Sequence, residues 1–282
     1  MSKPPRQPRR PLHGVILLDK PLGLSSNDAL QKVRRLMRAE KAGHTGTLDP
    51  LATGLLPLCF GAATKFSQVS LDADKRYTAR VKLGVVTTTG DAEGEVVSTR
   101  AVTPEMTAPE RVAAACAAFT GEIDQVPPMH SALKHEGRAL YEYAREGIEI
   151  ERAPRRVTIH GIDILNCQDD VLEIDVRCSK GTYIRTLIDD LGELLGCGAH
   201  VSALHRTQVG PFVAEQMVTP AQLDALAEPC HTANEFNAMD ALLLPLDAGI
   251  VNMPKLLLTE QQQHRLQHGQ HCQVDTADVA AI

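Results

Sequence analysis

Apolar residues recur along this chain with two different periods, and each period predicts a kind of element. GVILLDKP (14–21) is an apolar run ended by Pro21 and reads as a buried strand. After Ser25 or Ser26 as a cap, Ala29, Leu30, Val33, Leu36 and Met37 return at helical spacing, with Lys32, Arg34, Arg35 and Arg38 on the other faces. This predicts a basic amphipathic helix. GHTGTLDPLATG (43–54) has four glycines or prolines in twelve residues and little periodicity, so it reads as a loop. Tyr77, Ala79, Val81 and Leu83 alternate with polar neighbours and Val96–Val97 returns after a turn-rich stretch, which predicts an antiparallel hairpin over 76–98.

Further on, Thr107 reads as the cap of an Ala-rich helix that runs through 109–119 and stops at Thr120–Gly121. Residues 124–156 have mixed charge and a short helix near 138–146, and read as a mobile loop over a site. Leu172, Ile174, Val176 and Cys178 face one way and Glu173, Asp175 and Arg177 the other, as in a half-buried strand. The stripe Ile184, Leu187, Ile188, Leu191, Leu194 and Leu195 then predicts a helix closed by Gly196, with Arg185 in its first turn. Strands in antiparallel pairs with helices between, and no β-α-β rhythm, argue for an α+β fold on an antiparallel-rich sheet.

Composition narrows the function classes. At 282 residues and 43% hydrophobic, the chain can bury a large core and a smaller one. Its longest apolar runs fall far short of the roughly 20 residues that a membrane span requires, and no secretory core follows the basic start, so a cytoplasmic protein with no membrane partner is expected. Seven scattered cysteines read as reduced core thiols. The net charge of −6 argues against a nucleic-acid partner until its distribution is considered. Residues 1–65 carry 11 Lys and Arg against four acids, and the rest carry 18 against 31. The positive field is local.

One loop could carry chemistry. In Gly46-Thr47-Leu48-Asp49-Pro50, proline fixes its own backbone and restricts Asp49, which suits a rigidly held carboxylate. An Asp that only bonds its own turn is the plainer reading. No Lys-Ser/Thr pair follows, so this is no Walker loop. His264, His268, His271 and Cys272 invite a metal reading, but no carboxylate or second cysteine completes a ligand set, and no metal is expected.

Six segments in order resemble the TruB family of tRNA pseudouridine(55) synthases: 17–30, 43–65, 75–94, 125–147, 178–192 and 202–210. The resemblance implies a pseudouridine synthase core, built on a mixed, antiparallel-rich sheet with flanking helices and a thumb-like insert. It implies base flipping and isomerisation of uridine 55 in the T-loop, with no cofactor. The partner is tRNA, through its T-arm stem-loop, with no obligatory protein partner. It makes Asp49 the catalytic carboxylate, Arg185 its partner, and Tyr77 both the ring that stacks on the flipped base and a candidate base. His44 would fill the space near the vacated base, Tyr183 and Leu204 would line the uracil pocket, and Lys20 and Asp91 would support the site. An adjacent guanidinium should lower the Asp49 pKa by roughly 1–3 units.

On this reading the domains are a disordered basic tail (1–12), a catalytic domain (13–250, thumb about 124–156) and the start of a PUA-like RNA-binding domain (251–282), apparently incomplete. His130 stands where relatives usually have Tyr, and Ser25 where Thr is common. Two rivals of other classes are a catalytically silent tRNA-binding or folding factor and an Asp-dependent, metal-requiring hydrolase. An RNA-guided synthase is a nearer cousin, against which the thumb-like insert counts.

Overall fold

The computed structural model of the chain describes residues 8–251, 253–273 and 279–280. It divides into two compact units, Met1–Gly249 and Ile250–Ile282. The strands of the first unit are β1 (Gly14–Lys20), β2 (Ala42–His44), β3 (Ala52–Phe60), β4 (Lys75–Leu83), β5 (Val85–Thr87), β6 (Val96–Thr99), β7 (Gly121–Gln125), β8 (Lys134–His135), β9 (Arg138–Ala139), β10 (Arg155–Gln168), β11 (Val171–Cys178), β12 (Ala199–Val209) and β13 (Phe212–Val213). Its α-helices are α1 (Ser26–Leu36), α2 (Ser67–Asp72), α3 (Pro109–Ala118), α4 (Leu140–Arg145), α5 (Ile184–Leu195), α6 (Pro220–Ala233) and α7 (Asn237–Asp240).

The main sheet runs β1-β3-β12-β4-β11-β10-β7, with β2 added on β3 and β13 on β12. Only β3 and β12 pair in parallel, so the fold is α+β and antiparallel-rich, as the pattern predicts. Strand β1 is buried on both faces. Ile16 and Leu18 join the main core with α1 and α5, while Val15 and Leu17 join a smaller cluster with Leu55, Cys59 and Phe212. Burial on two sides is what an unbroken apolar run encodes. Strand β4 alternates instead, with Tyr77, Ala79, Val81 and Leu83 inward and Arg76 and Arg80 in solvent.

Several expectations need correction. Within 43–54 only 45–51 is irregular, because residues at both ends belong to β2 and β3, which pair with each other. Gly54 signals a loop by type, yet it lies in β3 at φ +94°, where a Cβ would come within 2.4 Å of the Arg206 carbonyl oxygen. The glycine permits close strand approach there. The 76–98 hairpin is really two structures: β4 lies between β11 and β12, and β5 pairs with β6. Local pattern shows that β4 is a strand but cannot name partners about 100 residues away. Thr107 does not cap α3; the cap position is Ala108, without a side-chain bond. Leu194 is exposed, at the edge of the α5 stripe.

The expectation of a disordered tail over 1–12 does not hold at Arg10. Residues 1–7 lie outside the described residues, but Arg10 donates its backbone N–H to Arg38 O and receives one from Glu40 N. Its guanidinium lies over the Phe236 ring at 4.1 Å and pairs with Asp240. An aromatic face and a carboxylate supply the order that the composition does not predict.

In the second unit, β14 (Lys255–Leu256) pairs with β15 (Val279–Ala280), and α8 (Glu260–Gln267) opens on a capping box between Thr259 and Gln262. The His264 and His268 rings stack at 4.3 Å. No helix among the described residues is long and apolar enough to cross a membrane.

Candidate active site

Asp49 stands on segment 45–51, just before β3, and neighbours hold that segment from three sides. From α1, Ser26 Oγ donates to Leu48 O at 3.0 Å and accepts from Leu48 N at 2.8 Å. From the end of β1, Lys20 Nζ donates to Leu24 O at 2.7 Å and Pro50 O at 3.5 Å, and Gly23 N reaches Pro50 O at 2.9 Å. From β12, the Arg206 guanidinium donates to Gly46 O at 3.2 Å and Leu55 O at 2.8 Å. A loop tied this way presents its side chain with little left to order.

Arg185 enters from the first turn of α5, buried rather than on the helix surface. Its guanidinium reaches Asp49 Oδ2 at 2.8 Å, Asp91 Oδ2 at 3.5 Å, Thr89 O at 2.9 Å and His130 O at 2.7 Å. It therefore joins the Asp49 loop, the β5–β6 turn and the 124–156 insert. Asp91 is not a free turn residue: it is buried, accepts from Thr89 Oγ1 and Glu93 N, and its turn is bridged to Val201 of β12.

Two recesses, of about 320 and 440 Å³, meet at Thr47, Leu48, Asp49, Ser131, Ala132 and Arg185. Both are within the size range of small-ligand sites. Tyr77, Tyr183 and Leu204 line the first, with Lys75 and Arg206. His44 and Asp91 line the second, with Glu93 and His130. Of the residues predicted from sequence, Asp49 and Arg185 sit at the divide, and Lys20 stands behind the loop, bonding its carbonyls.

Burial in the cleft raises the Asp49 carboxyl above the usual carboxylate range; Arg185 opposes this, Asp91 adds to it and Lys20 opposes it further. The expected lowering by Arg185 is thus present but outweighed. Although the Asp49 side chain is 41% exposed, cleft walls surround it, and desolvation by those walls is the larger effect. The same enclosure lowers Lys20 to about 8, by burial first and against the pull of Asp49. His44 is held below the ordinary histidine value by burial and by Arg206, and its Nδ1 has no partner among the described residues.

Sequence reasoning missed Arg206, which is 1% exposed. It pairs in register with Tyr77 across β12 and β4, beside the tyrosine hydroxyl. The available signal was alternation: in a strand through Leu204, Arg206 falls on the same face as that inward leucine. Arg206→Met leaves the buried carbonyl of Leu55 and the half-buried carbonyl of Gly46 without their donor, at a cost of about 1–3 kcal/mol for the buried one and less for the other. A urea unfolding curve should show that loss, and a midpoint equal to wild type would contradict the clamp.

Comparison with known proteins follows the same outline. The family model described as TruB family pseudouridylate synthase (N terminal domain) matches residues 34–184, and the tRNA pseudouridylate synthase B C-terminal domain matches 185–251. The chain is 56% identical to tRNA pseudouridine synthase B of Ralstonia pickettii, over 98% of this chain and 85% of that protein. It is 54% identical to the protein of the same name from Vibrio cholerae, over 96% and 87%. Among solved structures, it resembles a chain of a Cbf5-Nop10-Gar1 complex with TM-score 0.74 and 28% identity, covering 95% of this chain and 70% of that one. It also resembles a chain of an H/ACA RNP bound to a substrate RNA containing 2'-deoxyuridine, with TM-score 0.71 and 26% identity, over 95% and 69%.

Proposed function

Because this chain belongs to the TruB family of pseudouridylate synthases, we propose that it isomerises uridine 55 in the T-loop of tRNA, with Asp49 as the attacking carboxylate. Conversion of uridine to pseudouridine breaks the bond between the ribose anomeric carbon and N1 and forms one from the same carbon to C5. The C5 hydrogen leaves as a proton and N1 gains one, so nothing is oxidised or reduced. Asp49 holds the ribose or the base covalently while the uracil turns, through the anomeric carbon or through C6. A base stacked in its RNA cannot reach the carboxylate, so it is flipped out at a cost of a few kcal/mol.

The observation that carries this reading is an arginine-paired carboxylate on a clamped loop, opening on a recess lined by Tyr77, Tyr183 and Leu204. In the proposed roles, Tyr77 stacks on the flipped base and Tyr183 and Leu204 bound it. His44, neutral and with an unpartnered Nδ1, faces the RNA on the other side of Asp49. Asp91 and Lys20 hold Arg185 and the loop in place.

Incubating unmodified tRNA with the purified protein and mapping pseudouridine by chemical labelling tests the proposal. One modification, in the T-loop at position 55, is expected. Modification elsewhere, or none, would overturn it.

A further inference from the structure

The last turn of α1 carries a second concentration of positive charge that the cleft does not use. Arg9, Arg34, Arg35 and Arg38 surround a recess of about 170 Å³, completed by Gln31 and Ala39, with no acidic residue in its lining. Two of these arginines are held in place by neutral oxygens. Arg34 donates to Glu40 O at 2.7 Å and Ala39 O at 3.4 Å. Arg38 donates to Asn234 Oδ1 at 2.9 Å and lies over the Phe236 ring at 4.8 Å. Carbonyl and amide oxygens orient a guanidinium without neutralising it. Among the described residues none of the four has a carboxylate partner, whereas nearby Arg10 pairs with Asp240 and Lys32 with Asp224.

A bland account makes these arginines companions of the helix C-terminus, where cations are favoured. That account suits Arg34 and Arg35, both in the last turn, but one helix end does not require four guanidinium groups around one hollow. Like charges lining one hollow repel unless an anion enters. We propose that this recess is a phosphate-binding site outside the cleft, which grips the sugar–phosphate backbone of the RNA. The opposite end of α1, at Ser25, Ser26 and Asn27, lines the cleft itself. At 1.5 Å per residue the two ends are about 12–15 Å apart. A duplex stem leaving the cleft presents phosphates over that whole distance, and a forked guanidinium suits them. The inference rests on an RNA substrate, as proposed above, and adds where its backbone is held.

Arg9 and Arg35 are exposed and make no side-chain hydrogen bond among the described residues, so changing them spares the fold. The test compares full-chain wild type, Arg9→Gln/Arg35→Gln, and Arg80→Gln/Arg100→Gln, which removes the same charge elsewhere. Steady-state kinetics on tRNA are read from 50 to 200 mM salt. The first variant should raise KM roughly tenfold and leave kcat within twofold. It should also flatten the slope of log affinity against log salt by about 1.5, two contacts at roughly 0.7–0.9 each. Each single substitution should give about half the shift. An unchanged KM and slope, or an equal change in the Arg80/Arg100 variant, overturns the site. So does pyrophosphate raising the melting temperature of wild type alone while KM stays fixed, which would identify a small-anion site. If the wild type forms no pseudouridine, the proposed function fails separately, and filter binding of tRNA to the same variants still decides the site.

Discussion

Asp49→Asn is expected to abolish pseudouridine formation, by more than about 10⁴-fold in kcat, the scale on which enzymes lose activity when a nucleophile is removed. Binding of tRNA should survive within a few-fold, because the substitution keeps the shape of the side chain and leaves the recess walls intact. Stability should not fall. Enclosure in the cleft already disfavours the ionised form of Asp49, so a neutral amide relieves that burden at neutral pH. Single-turnover assays, a binding titration and a melting curve together make the check. Persistent modification would refute the carboxylate mechanism and leave a different group to be found. The pH dependence has a definite sign. In the proposed mechanism the reactive form is ionised, and the folded-state pKa of Asp49 lies above the 3.8 of a free aspartate, so activity is expected to be lost as pH falls through that raised value. The acid limb of kcat/KM therefore lies above the ordinary aspartate range.

Arg185→Gln should be nearly as damaging, for two reasons that can be separated. First, the lost cation removes the main influence that holds the Asp49 pKa down, so the acid limb moves further up in pH. With the loop also released from the 124–156 insert, kcat/KM at neutral pH should fall by roughly 10²- to 10³-fold. A purely structural arginine would lower activity without moving the limb. Second, Asp91 is 3% exposed and loses its guanidinium partner, and breaking such a buried pair costs about 3–5 kcal/mol. Adding Asp91→Asn removes the orphaned charge. The double variant should regain stability in a denaturant curve while activity stays low. If stability and activity return together, the pairing with Asp49 is not what matters.

Much of this molecule was legible along the chain. Strand β1, helix α1 and the alternation of β4 follow from local burial periods, because each period reports the face a segment must hide. Asp49 stood out as a candidate through its motif, while the ties from Ser26, Lys20 and Arg206 that hold its segment are long-range. What one segment cannot report is its partner. The parallel seam of β3 with β12 joins residues about 150 apart and sets Arg206 against Gly54, while the antiparallel pairing of β12 with β4 sets the same arginine opposite Tyr77. Tertiary folding likewise brings Arg185 in the first turn of α5 to Asp49, to Thr89 and Asp91, and to His130, on three segments spread along the sequence. Electrostatics followed enclosure as well. Beside an arginine, a carboxylate was expected to become more acidic, yet the surrounding walls raise its pKa, since desolvation depends on every neighbouring atom and a pairing rule counts one. The kind of each element was thus set by its own residues, and the site by long-range pairing that no local pattern contains.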